Sequence, residues 1–234
     1  LALVEKRRLR NADVIRALSV PEKEFLQRMF PGKEIIVMPT GINMPPLTIK
    51  SVAAEEKIFL FMARLHFVKN VVPLVNGWLT SALQNNKNFK LIIAGPDDGE
   101  LAKLQPLIQQ SNNIEYIGPI YKTEKEEWLK KSTFFILPST SEGFSVSLIE
   151  AAARGLIPVI TEGCNFPELI ERQLAIVTGT TAEAIKASLE KCMIFNNTEI
   201  GKLGTATQQF MQDNYSNELI AARQFELYNG LLKS

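Results

Sequence analysis

Residues 134–160 narrow the folds open to this chain more than any other stretch. The apolar run Phe134-Phe135-Ile136-Leu137 has the length of a buried strand, and Pro138 with a cluster of Ser and Thr ends it. Beyond it, Val146, Leu148, Ile149, Ala152 and Ala153 recur at helical spacing. Ser147 and Glu150 fit a capping box, and Gly155 with Pro158 marks the stop before a further strand over 157–161. Strand, glycine-bearing turn, helix and strand make a βαβ unit, and in α/β sheets the turn from strand to helix is where ligands bind.

The same alternation runs from 57 to 178. Apolar strands are predicted at 57–63, 89–94, 114–117 and 174–178, with helices between them at 71–84, 101–110 and 125–131; Asn70 is placed to cap the first of these helices. This pattern implies an α/β fold, a Rossmann-like doubly wound parallel sheet with right-handed crossovers. Helices over 182–195, 198–212 and 216–232 follow. Upstream, 1–12 reads as an amphipathic helix and 13–20 as a short strand. Pro21 opens a helix over 22–30 that Gly32 stops, and a strand follows at 35–38. Residues 44–56, with two adjacent prolines, read as a linker, so the expected organisation is 1–43, a main domain over 57–215, and a last helix in 216–234.

The turn Glu142-Gly143-Phe144-Ser145 carries the chemistry. Gly143 lets backbone approach a ligand closely, and free amides at the start of the next helix suit a phosphate. Glu142 and Glu150 bracket that anion site and would repel phosphate. A carboxylate accepts hydrogen bonds, so its natural partners are hydroxyls, as on a ribose or a hexose. One hydroxylated ring on each side of a diphosphate is a sugar nucleotide. The plain alternative makes Glu150 a capping acid and Glu142 a solvated loop charge.

Composition limits the rest. The 234 residues carry 26 Lys and Arg against 25 Asp and Glu, a balance that gives no sign of a nucleic-acid surface. Cys164 and Cys192 are the only cysteines and show no metal-ligand spacing, so reduced thiols in a cytoplasmic protein are expected. No apolar run approaches the roughly 20 residues that a membrane span requires. The chain opens on Leu1 inside an apparent helix and reads as a fragment.

The run E-G-F-S-V-S-L-I-E-A-A-A-R-G-L-I-P-V resembles the E-x7-E signature of the retaining glycosyltransferases of family 4, which have the GT-B fold. Arg64-Leu65-His66-Phe67-Val68-Lys69-Asn70 is similar to that family's G-R-L-x-x-x-K-G element, with Ala63 and Asn70 in place of glycines. Pro39-Thr40-Gly41-Ile42-Asn43 resembles the segment by which such enzymes leave their N-terminal domain. Cys164-Asn165, in turn, stands where Gly-Gly is usual.

The resemblance implies the C-terminal, donor-binding half of such an enzyme, with the end of the N-terminal domain ahead of it. Arg64 and Lys69 would hold the diphosphate together with the backbone of Gly143, Phe144, Ser145 and Val146. Glu142 would take the donor sugar, Glu150 the ribose, and the loop from Ile117 to Tyr121 the base. Tyr121 suits stacking on a base and packing on a helix equally well. His66 is not expected to act as a base, and the acidic run Asp97-Asp98-Gly99-Glu100 reads as helix-start acids rather than a metal site.

The implied partners are a nucleotide-diphosphate sugar, with UDP favoured over GDP, and a carbohydrate or glycolipid acceptor. The missing N-terminal domain would hold the acceptor, and no cofactor or metal is expected. Contact with the inner membrane surface is compatible with this reading, and no nucleic acid is implied. The last helix would cross back to the N-terminal domain or pack on its own. A non-catalytic nucleotide-sugar-binding module working with a partner chain is the alternative function. A nicotinamide oxidoreductase fits poorly, because Ala63-Arg64-Leu65 stands where G-x-G-x-x-G would be needed.

Overall fold

The computed structural model describes residues 3–47, 56–84 and 86–233. Most of the expected linker, residues 48–55, lies outside them. The chain divides into two compact units, Leu1–Met44 with Asp213–Ser234, and Pro45–Gln212.

The first unit opens with α1 (Leu3–Arg10), β1 (Val14–Ala17), α2 (Val20–Met29) and β2 (Glu34–Val37). Ser19 caps α2 through its hydroxyl, which accepts from the Glu22 amide, and Pro21 occupies the first turn where its missing N–H costs nothing. The two strands pair in parallel and bury Ile15, Ala17 and Ile35 against Leu26 and Phe30.

The second unit holds β3 (Lys57–Met62), α3 (Val71–Thr80), β4 (Phe89–Ala94), α4 (Leu101–Ile108), β5 (Ile114–Gly118) and α5 (Lys122–Lys131). It continues with β6 (Phe134–Leu137), α6 (Val146–Ala152), β7 (Ile157–Ile160), α7 (Pro167–Glu171), β8 (Ile176–Val177) and α8 (Ala182–Met193). The helices α9 (Asn197–Tyr215) and α10 (Asn217–Leu231) complete the chain. In the first unit, Ile42 exchanges backbone hydrogen bonds with Tyr215 and Asn217, which ties the segment after β2 to the start of α10.

All six strands of the second unit are parallel, in the order β5-β4-β3-β6-β7-β8. Strands buried on both faces need continuous apolar runs rather than alternation, and β6 and β7 are buried along their full length. The centre of the core is aromatic: the Phe59 ring stacks on Phe134 at 4.5 Å and meets Trp78 edge-on at 5.4 Å. Chain order reverses at β3, whose neighbours are β4 on one side and β6 on the other. The chain therefore turns to opposite sides of the sheet after β3 and after β6, the arrangement that in parallel sheets places a ligand crevice at the carboxyl ends of the strands.

The structure departs from the sequence expectations at several elements: β1 covers 14–17 rather than 13–20, because α2 already starts at Val20 rather than 22, α5 starts at Lys122 rather than 125, and β8 covers 176–177 rather than 174–178. Helix α3 ends at Thr80 rather than 84, because Ser81 turns extended and its hydroxyl bonds back to the Trp78 carbonyl. Asn70 holds the N-cap position of α3 as expected, but its side chain makes no capping bond: the residue adopts a left-handed conformation (φ 61°) and donates its side-chain amide to the Thr180 carbonyl. The cap of α6 is Ser145, whose hydroxyl accepts from the Leu148 amide, so Ser147 and Glu150 form no capping box and Glu150 is free for other partners. The short helix α7 was not legible, since five residues show too little periodicity.

Candidate functional site

The crevice is furnished by the loops after β3 and β6. Past Met62, the Leu65 amide bonds to the Pro96 carbonyl, and residues 67–69 form a single 3-10 turn capped by the His66 ring, whose Nδ1 accepts from the Val68 amide. That turn ends at Lys69. Past Leu137, the chain runs through buried Ser139 to Glu142, and the Thr140 amide bonds across to the Val68 carbonyl. This lacing brings together two residues that lie 73 positions apart.

Lys69 Nζ sits 2.6 Å from Glu142 Oε1 and 2.5 Å from Oε2. The Glu142 side chain is 6% exposed and that of Lys69 18%, so the pair is largely desolvated. Ser139 donates its hydroxyl to Glu142 Oε1 at 2.6 Å. The main chain of Glu142 is held as firmly: its amide donates to Gly163 and its carbonyl accepts from the Asn165 side chain. Asn165 is left-handed (φ 59°), a conformation Asn tolerates, which explains how it can stand where a glycine was expected. A Cβ on Gly163 would lie 2.6 Å from the Thr140 carbonyl oxygen, so the approach of these two loops requires glycine there.

Arg64 and Glu150 are placed differently. Arg64 Nη1 contacts Asp98 Oδ2 at 2.6 Å with the guanidinium largely in solvent. Arg64 also borders a cavity of about 120 Å³ at the ends of β3, β4 and β5, together with Ala63, Gly95, Pro96, Ile120 and Tyr121. Tyr121 is 67% exposed, whereas Ile117 lies on β5 outside that lining. Glu150, in α6, is paired with Lys125 of α5 at 2.6 Å. Gly143 and Phe144 precede the Ser145 cap, Val146 is exposed at the first turn of α6, and the Phe144 ring packs 5.5 Å from Phe166.

The acidic run 97–100 is committed to the protein. Asp97 Oδ1 accepts from the amides of Gly99, Glu100 and Leu101, Asp98 holds Arg64, and Glu100 pairs with Lys103. The Leu101 amide, above all, holds the Asp97 carboxyl below its ordinary range. Cys164 is fully buried and in contact with the Leu137 carbonyl; burial pushes its thiol up, away from a reactive thiolate.

A cation, a buried carboxylate and a glycine with open space beside it, at the reversal point of a parallel sheet, suit an anionic, hydroxylated ligand. The family profile described as "Glycosyl transferases group 1" matches residues 48–199, which includes every residue of this crevice. The chain belongs to the group 1 glycosyl transferases.

Among similar proteins, N,N'-diacetylbacillosaminyl-diphospho-undecaprenol alpha-1,3-N-acetylgalactosaminyltransferase of Campylobacter jejuni is 27% identical over 96% of this chain and 59% of its own length. The GDP-mannose:cellobiosyl-diphosphopolyprenol alpha-mannosyltransferase of Xanthomonas campestris is 21% identical over 92% of this chain and 58% of its own length. This glycosyl transferase chain thus spans about three fifths of the length of the curated relatives it matches. In structure it is similar to sucrose-phosphate synthase from Thermosynechococcus elongatus, with a TM-score of 0.83 at 21% identity, over 99% of this chain and 61% of the other. It is also similar to Anabaena HepE solved with UDP-glucose, with a TM-score of 0.76 at 16% identity, over 98% and 68%. These structures share the GT-B glycosyltransferase fold.

Four partners of the expected site residues escaped sequence reading: Ser139, Asn165, Lys125 and Asp98. Ser139 belongs to the Ser/Thr cluster that reads only as a strand stop, and Lys125 is one of four lysines in the charged helix α5. Neither position carries a periodicity or a motif that marks it out.

Proposed function

We propose that this chain binds a nucleotide-diphosphate sugar in the β3–β6 crevice and takes part in retaining transfer of its glycosyl group to an acceptor hydroxyl, in the manner of family 4. The Lys69–Glu142 pair carries the reading. A desolvated carboxylate with its own counter-cation can sit beside a diphosphate and still accept hydrogen bonds from sugar hydroxyls. Lys69 and Arg64 would hold the diphosphate, one as a mobile point charge and the other as a planar fork. The backbone of Gly143, Phe144, Ser145 and Val146 would line its path. Glu142 would hold the donor sugar and Glu150 the ribose, with the base in the cavity beside Tyr121 and Ile120, next to Ile117.

As the bond to the leaving phosphate breaks, negative charge would grow on phosphate oxygens that Lys69 and Arg64 would face, and cations act most strongly where charge develops. UDP is proposed over GDP as the nucleotide; a similar fold is solved with UDP-glucose, and one relative is named for GDP-mannose. The acceptor, a carbohydrate or glycolipid, would be presented from outside the second unit. The proposed location is the cytoplasmic side of a membrane, and relatives whose names include polyprenol-linked diphosphates support the membrane part of that reading. Among the described residues no helix is long and apolar enough to cross a membrane.

Calorimetric titration with UDP-, GDP- and ADP-sugars tests the reading. One of them is expected to bind, with Arg64→Ala abolishing that binding and Glu150→Ala weakening it by about tenfold or more. Binding left unchanged by both substitutions refutes the site.

A further inference from the structure

Sequence reasoning leaves a conflict: carboxylates beside a diphosphate repel it. The structure supplies each of the two acids with its own lysine, Glu142 with Lys69 and Glu150 with Lys125. Lys69 belongs to the phosphate-loop pattern, but Lys125 belongs to no motif, and it sits on α5, a different element from the acid it serves.

The contact is built rather than casual. Lys125 Nζ lies 2.6 Å from Glu150 Oε1, and the two side chains keep only 26% and 21% of their surface exposed. Two residues past the end of α6, Arg154 grips the neighbouring residue of α5: its Nε and Nη2 bond Glu126 at 2.7 and 2.5 Å, while Nη1 bonds the Glu150 carbonyl at 2.8 Å. A bidentate clamp of this kind sets the register of two helices. It holds Lys125 opposite Glu150 and not one turn away.

We propose that Lys125 is a positioning residue for nucleotide recognition: it binds Glu150 Oε1, turns Oε2 toward the ribose hydroxyls, and neutralises the acid beside the diphosphate. The proposal rests on the assignment of Glu150 to the ribose made above. A carboxylate held at one oxygen loses little rotamer freedom when the other accepts a hydroxyl, so discrimination for the ribose depends on the lysine as well as on the acid.

The test compares calorimetric affinities for uridine diphosphate and 2′,3′-dideoxyuridine diphosphate, or the guanosine pair if that nucleotide binds better. A hydrogen bond to a charged group should give the parent protein a preference for the hydroxylated ligand of about tenfold or more. Glu150→Ala should erase that preference; if it persists there, the ribose assignment itself is wrong. Given that loss, Lys125→Met should also reduce the preference to about twofold or less, and Lys125→Arg should restore most of it. The double variant should behave as Glu150→Ala alone, because the lysine acts only through the acid. A Lys125→Met protein that keeps its tenfold preference while Glu150→Ala loses it overturns the proposal. The ratio of two ligands on one variant is insensitive to a general loss of stability, which would weaken both.

Discussion

Replacing Lys69 with Met would leave Glu142 buried without its cation. Glu142 is 6% exposed on its side chain and Lys69 18%, so solvent can do little to replace the lost charge. Breaking a buried pair by removing one partner costs about 3–5 kcal/mol, and the surviving Ser139 hydrogen bond puts this case near the lower end, about 3 kcal/mol. For domains of about 150–250 residues each kcal/mol moves the midpoint by about 2–4 °C, so Lys69→Met should lower Tm by about 6–12 °C. Both tryptophans, Trp78 and Trp128, belong to the unit Pro45–Gln212, so intrinsic fluorescence reports on the unit that holds the pair. Adding Glu142→Gln removes the uncompensated charge while keeping an acceptor for Ser139, and the double variant should recover more than half of the loss. The reasoning fails if Lys69→Met melts within about 2 °C of the parent, or if the double variant melts as low as the single one.

Two further outcomes follow from the same geometry. The Asp97 carboxyl is held low chiefly by the Leu101 amide, so its contribution to stability is fully present above the ordinary carboxylate pKa of about 4 and is lost as pH falls through the lowered folded value. The difference in Tm between the parent and Asp97→Ala should therefore be largest near neutrality and shrink in acid; a difference that grows below about pH 4 contradicts the sign. Burial raises the thiols of both Cys164 and Cys192, so iodoacetamide at mild alkaline pH should label neither in the native chain and both in denaturant, and rapid native labelling followed by mass spectrometry would overturn this.

Much of the second unit was legible because burial writes itself locally. The runs Phe134–Leu137 and Ile157–Ile160 are apolar at every position but Pro158, as strands covered on both faces must be, and the structure pairs them in parallel residue for residue. Gly155 marked the end of α6 correctly, since it takes φ 74° and the Leu156 amide reaches back to Ala151 in the manner of a glycine C-cap. Caps were less legible than runs. Ser145 and Ser147 are chemically equal candidates two residues apart, and only the path of the loop from Glu142 decides which hydroxyl meets a free amide.

By itself the sequence determined that this chain alternates strand and helix, that an acid and a glycine occupy one strand-to-helix turn with a second acid in the helix after it, and that two cations occupy another turn. These follow from periodicity and from residue chemistry, which act over a few positions. Only the tertiary structure decided that Lys69 meets Glu142, that Lys125 serves Glu150 and that Asp98 holds Arg64. Those partnerships depend on the order in which strands join the sheet and on the register of α5 against α6. Both are settled by packing across the whole unit, and a lysine in a charged helix looks the same in sequence whether it faces water or an acid.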